Sequence, residues 1–222
     1  MRKLGLAFLL LAGPVSAAEP FVSLPARFAG TLPCADCPGI DVRLDLAVDH
    51  TYAVRFTYRD RGPAAARDEI GVWSLAPDGA TLALTSGGAG SMRLRVADAG
   101  TLRLLDGEGR EIVRHPSYTL ARDDELSPIE PRLRLRGMYR YAADAGRLTP
   151  CATGRGLPVA QLADNAALER AYLAVRTEPA APLLVELEAR VARLPRMEGP
   201  GDEPAVVVER FIAAARPGEA CL

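Results

Sequence analysis

The chain has 222 residues, with 27 basic and 28 acidic side chains and a formal net charge of −1. Its basic residues gather into no stripe, which argues against nucleic-acid binding. It has only two histidines, and no His-Glu-x-x-His, Gly-x-Ser-x-Gly or phosphate-loop pattern, so a catalytic role finds no motif and a non-enzymatic protein is predicted.

Residues 1–18 read as an export signal. Arg2 and Lys3 precede an apolar run from Leu4 to Ala12, too short to span a bilayer, and the small residues Val15-Ser16-Ala17-Ala18 follow. Cleavage after Ala17 or Ala18 leaves roughly 204 residues, enough for one large or two small domains. No cysteine stands directly after the small residues, so no lipid anchor is predicted and the mature chain is expected to be soluble. An exported chain meets oxidants, so its four cysteines are read first as disulfides.

The segment 19–121 is written in period two. Val42, Leu44, Leu46 and Val48 alternate with polar residues, and Tyr52, Val54, Phe56 and Tyr58 continue beyond Asp49-His50. That pattern predicts a hairpin with one buried face. Short strands follow at 70–75, 81–85, 91–96, 101–105 and 112–120, separated by Gly- and Asp-rich turns such as Gly87-Gly88-Ala89-Gly90. An antiparallel meander or barrel is the natural outcome, because closure removes exposed edges.

Residues 122–131 are charged, hold Pro128 and Pro131 and lack apolar periodicity; they are read as a linker. In 132–222 the pattern changes. Strands at 132–141, 146–151 and 157–161 precede a helix from Asp164, a suitable N-cap, to Val175, with Leu168, Tyr172 and Val175 on one face. Strands at 183–191 and 205–213 complete an order of three strands, a helix and two strands, which is that of an OB-fold. The predicted class is all-β, with one helix in the second unit.

The cysteines allow three pairings. Local pairing, Cys34–Cys37 and Cys151–Cys221, keeps each bridge within one half. Closing the longer loop is worth about 4 kcal/mol in the chain-entropy model, and the four-residue ring only about 2. The distal bridge therefore has a sufficient structural reason, and the near pair is less well explained by stability. Pro38-Gly39 and a strand follow Cys37, so no helix N-terminus is available to favour a thiolate, and Asp36 opposes one. These features argue against an efficient dithiol oxidoreductase. A passive turn disulfide, a redox sensor and a soft-metal site remain. Two thiolates are too few for closed zinc but suit Cu(I); His50, His115, Met92 and Met138 are candidate additional ligands. Tyr52, Phe56, Tyr58 and Trp73 read as core or cross-strand residues before they read as the mouth of a site for a small apolar or glycan ligand.

Phe28-x-Gly30-x-Leu32-Pro33-Cys34-Ala35-Asp36-Cys37-Pro38-Gly39-Ile40, then Leu44-x-Leu46 and Gly71-x-Trp73, resembles the opening of the NlpE family of envelope copper-resistance proteins. Gly137-Met138-Tyr139-x-Tyr141, Cys151-x-Thr153-Gly154 and Leu168-Glu169-x-Ala171-Tyr172 resemble that family's C-terminal OB domain. The resemblance implies a lipocalin-like barrel bearing Cys34 and Cys37, joined to an OB-fold stapled by Cys151–Cys221. It also implies a role in copper tolerance and envelope stress, with Cys34 and Cys37 as a copper(I)-binding or redox-sensing pair. The implied partners are the periplasmic sensor domain of a Cpx-type two-component system and a Dsb-type thiol oxidase. The chain departs from lipoprotein members in lacking a lipobox, so a soluble periplasmic protein is expected. The competing readings are a barrel that binds a small ligand and an interaction module that docks on an envelope sensor.

Overall fold

The period-two stretches become strands that close on themselves. The structure, a computed structural model, describes residues 23–62, 65–87, 89–112 and 118–221; the predicted signal at 1–18 lies outside them. The first eight strands are β1 (Ala26–Leu32), β2 (Ile40–Leu46), β3 (Thr51–Tyr58), β4 (Arg67–Leu75), β5 (Thr81–Ser86), β6 (Ala89–Asp98), β7 (Thr101–Leu104) and β8 (Thr119–Arg122). They form a closed barrel in chain order, sealed where β1 pairs antiparallel with β8 at Phe28↔Arg122 and Ala29↔Ala121. The interior positions are occupied by one cluster that includes Phe28, Val42, Leu44, Leu46, Val54, Trp73, Leu82, Leu94 and Leu120. A one-residue slip of any strand would turn this set outward, so burial fixes the register.

Two details differ from the sequence reading. Strand β1 was not predicted: its inward residues Ala26 and Gly30 are too small to announce a buried face. Gly30 has a steric reason, since a Cβ there would collide with the Thr119 carbonyl and prevent closure against β8. The strand expected at 112–120 is β8, shifted to Thr119–Arg122; residues 113–117, with the candidate ligand His115, fall outside the described residues.

The second barrel is built from β9 (Arg132–Ala142), β10 (Ala145–Pro150), β11 (Leu157–Val159), β12 (Leu183–Pro195) and β13 (Asp202–Ala214), with α1 (Asn165–Val175) after β11. It closes in the order β10-β11-β13-β12-β9, with β11 and β13 parallel at Val159↔Val206. This is the predicted OB-like arrangement. Helix α1 buries Leu168 and Tyr172, and the Tyr172 ring stands edge-on to Tyr139 at 5.2 Å. Two expectations about α1 fail. Val175 is 37 % exposed. Asp164 makes no side-chain cap; its carboxylate accepts the backbone N–H of Phe211 at 2.8 Å, tying the start of the helix to β13. Strands β12 and β13 also run longer than predicted, extending their pairing to Pro195↔Asp202.

The segment between the barrels lies on the first of them. Arg43 donates to the Ser127 carbonyl, Asp45 accepts from the Ile129 N–H at 2.7 Å, Arg55 donates to the Glu130 carbonyl at 2.9 Å, and Asp68 accepts from the Arg132 N–H at 2.7 Å. Charged side chains on outward positions of β2, β3 and β4 thus satisfy the segment's peptide groups in turn. The Asp68 side chain is only 4 % exposed and also pairs with Arg55 at 2.6 Å. Ile70 of β4, 7 % exposed, packs into the core of the second barrel.

Candidate functional site around Cys34 and Cys37

The turn between β1 and β2 carries both cysteines. It opens after Leu32 and closes at Ile40, which are cross-strand partners. Cys34 and Cys37 are joined as a disulfide with their Cα atoms 5.2 Å apart. Both are half-buried, and Asp36 between them is exposed. Strand β2 begins directly after Gly39, so the turn has no helix N-terminus behind it.

Gly39 is where this geometry demands glycine. Its φ is +153°, and an added Cβ would lie 2.9 Å from Thr31 Cγ2. Its carbonyl accepts the Arg59 N–H at 3.1 Å. The Arg59 guanidinium in turn holds Asp41 at 2.8 Å and the Thr31 hydroxyl at 2.8 Å. The Arg59 hydrogen bond, followed by that of Thr31, lowers the Asp41 pKa below the usual carboxylate value. The base of the turn is therefore pinned by a charged network on β1, β2 and the end of β3.

The rim is built differently. Asp36 Oδ1 lies 3.3 Å from Cys34 Sγ, and Asp36 Oδ2 pairs with Arg61 at 2.9 Å. The Arg61 guanidinium stacks over the Tyr58 ring at 5.0 Å. Sequence reasoning counted Asp36 as a charge against a thiolate but missed Arg61, which offsets it. The register Ile40↔Tyr58 brings the end of the β2–β3 hairpin beside the turn, and the Arg59-Asp60-Arg61 run was the available signal. Two sulfurs and one carboxylate oxygen lie within 4.8 Å of one another, a donor set for a soft cation once the sulfurs are reduced.

Two family profiles match the chain: the NlpE N-terminal domain over residues 28–114 and the NlpE C-terminal OB domain over residues 129–222. The lipoprotein NlpE of Escherichia coli (strain K12) is 38 % identical over 176 residues, which span 79 % of this chain and 71 % of that protein. The chain belongs to the NlpE family. The crystal structure of the Cpx pathway activator NlpE from Escherichia coli is 32 % identical, with 90 % of this chain and 98 % of that one covered at a TM-score of 0.38. A putative lipoprotein from Shewanella oneidensis is 26 % identical over 45 % of this chain and 89 % of its own, at a TM-score of 0.39.

Within this NlpE-family chain the candidate ligands among the described residues, His50, Met92 and Met138, are held elsewhere. His50 sits in the turn that follows β2, at the end of that strand away from Cys37, and stacks on Trp73 at 4.3 Å. Met92 packs against the first barrel's core from β6, and Met138 lies on β9 of the second barrel. Tyr52 and Trp73 are core residues, as the sequence favoured: Tyr52 donates to Glu69 at 2.7 Å and Trp73 to the Ala47 carbonyl at 3.0 Å. Burial, and then Glu69, raise the Tyr52 pKa. Phe56 and Tyr58 are half-buried.

The second bridge, Cys151–Cys221, has its Cα atoms 5.4 Å apart and a sequence separation of 70. The loop after Cys151 faces the first barrel. Arg155 donates to the Asp49 carbonyl at 3.1 Å, and a Cβ on Gly87 would lie 3.2 Å from the Cys151 carbonyl oxygen.

Proposed function

We propose that this protein is an exported, non-enzymatic component of the envelope-stress response, acting toward a Cpx-type sensor from the periplasm, with Cys34 and Cys37 as its reversible sensing pair. The relative crystallised as a Cpx pathway activator supports the signalling role. The observation that carries the assignment to Cys34 and Cys37 is the turn itself: a half-buried disulfide beside an exposed carboxylate, backed by a strand rather than a helix. Such a pair lacks the dipole that drives rapid thiol turnover, yet it is open to exchange.

In the disulfide the sulfurs carry no thiolate charge and hold no metal. Reduction by a dithiol, itself oxidised to a disulfide, yields two thiols; loss of their protons leaves two soft ligands beside Asp36. Cu(I) accepts that ligand type at low coordination number. A Dsb-type thiol oxidase would reverse the step. Copper and reducing conditions thus converge on one turn, whose base stays pinned by Arg59 and Asp41.

Thiol trapping with mass spectrometry, in cells under copper and under reductant, tests the reading together with a Cu(I) competition titration. Expected are a reduced, trappable Cys34/Cys37 fraction under stress and Cu(I) binding that disappears in Cys34→Ser/Cys37→Ser. A pair that stays oxidised under both stresses would overturn the sensing and metal roles alike. The reading as a small-ligand barrel is weaker, because the interior of the first barrel is filled by its own side chains.

A further inference from the structure

Between the two barrels lies a cleft of about 250 Å³, walled by the first barrel, the segment from Pro128 to Pro131 and the second barrel. Its lining is mainly apolar, with Pro25, Ile129, Leu157, Val191 and Pro204 contributing. The space is slightly smaller than the ~300 Å³ at which drug-sized sites begin, and it sits at a domain junction, a preferred place for ligands.

The charged groups around it are nearly all committed. Arg155 donates to the Asp49 carbonyl and Arg193 to the Asp202 carbonyl. Glu130 is paired with Arg190, and the Asp49 carboxylate accepts from Thr51. Asp45 accepts from the Ile129 N–H, and its other oxygen is shut away from solvent. Arg27 differs. It is half-buried on β1 and lines the cleft, and its guanidinium makes no hydrogen bond or contact ion pair among the described residues; its cross-strand partner Asp45 feels its charge from a distance.

A small apolar cleft with one guanidinium free of hydrogen-bond partners selects for a compact apolar body carrying one negative charge. Asp45, Asp49 and Glu130 stand around the same opening. A dianionic phosphate would therefore keep a second, unmatched charge against an apolar lining at a high cost in lost hydration, whereas a monoanion has its one charge opposed by Arg27. We propose that the cleft between the barrels binds a short-chain carboxylate amphiphile, its chain against Ile129, Leu157 and Val191 and its carboxylate on Arg27. This site is separate from the Cys34–Cys37 turn and does not depend on the redox role.

Calorimetric titration of the full chain with octanoate, octanol and octyltrimethylammonium tests the assignment. Octanoate is expected to bind about tenfold more tightly than octanol, the size of one charge-assisted hydrogen bond, and octyltrimethylammonium more weakly than either. Arg27→Gln should erase the advantage of octanoate and leave octanol unchanged. Methyl NMR should place the perturbations at Ile129, Leu157 and Val191. Equal affinity for the three head groups, an unchanged octanoate affinity in Arg27→Gln, shifts confined to interior methyls such as Leu44 and Leu82, or no octanoate binding would each overturn the proposal.

Discussion

The turn after β1 and the loop after β10 begin alike: Pro33-Cys34 follows one strand, and Pro150-Cys151 closes the other. Their cysteines nonetheless do different physical work. Cys34 finds its partner three residues on, in a ring that removes little disorder from the unfolded chain. Cys151 finds its partner 70 residues on, across most of the second barrel. The surroundings diverge in the same sense. The first pair has Asp36 and Arg61 at an exposed rim, whereas the loop after the second meets Gly87 of the first barrel and is tied to Asp49 through Arg155. The same dipeptide thus opens a ring of three residues' separation in one place and a tie across 70 residues in the other, and it is the first that we propose for chemistry.

The contrast is most exposed to failure in the double variant Cys151→Ser/Cys221→Ser. Urea unfolding of the second barrel should show a loss of about 4 kcal/mol; a loss under about 1 kcal/mol would mean that the bridge is not architectural. Gly39→Ala should destabilise the first barrel by about 2 kcal/mol in the same measurement, because it combines a positive φ with a clash on Thr31. Cys34→Ser/Cys37→Ser is expected to cost at most about 2 kcal/mol, less than its distal counterpart, and a reversal of that order would break the comparison. Arg61→Ala removes the counter-charge from Asp36. Alkylation of the reduced pair at neutral pH should slow by about threefold, in line with an exposed ion pair.

A pH titration sharpens the contrast further. The Asp41 pKa is lowered by Arg59 and Thr31, so the stabilisation it gives the turn is fully present above the ordinary carboxylate pKa. That stabilisation is lost as pH falls through the lowered folded value. NMR below about pH 3.9 should show the signals of residues 33–39 broadening or shifting before those of residues 151–155. Simultaneous changes would indicate that the two loops share one titrating support.

Alternation made most of the fold legible in the sequence: Val42 to Tyr58 gave the hairpin, and the order of strands and helix gave the OB-like barrel. What escaped reading depended on contacts distant in sequence. Strand β1 hides behind Ala26 and Gly30, whose smallness makes sense only with β8 laid across them. Asp164 has the composition of a cap, but the Phe211 N–H lies in reach and takes its carboxylate. The charged residues 43, 45 and 55 read as the polar face of a hairpin and residue 68 fell before the next predicted strand, yet together they hold the peptide groups of residues 127–132. At the candidate site the cysteines and Asp36 were visible in the primary pattern, whereas Arg61 became relevant only through the β2–β3 register.

The seam between β1 and β8 also sets an order of events. A chain that emerges from its N-terminus can form the hairpin of β1 and β2, and so bring Cys34 to Cys37, long before β8 exists to seal the barrel. Cys151 must wait for Cys221, and thus for the strands of the second barrel. One bridge is available to a newly emerging chain, and the other certifies a finished domain.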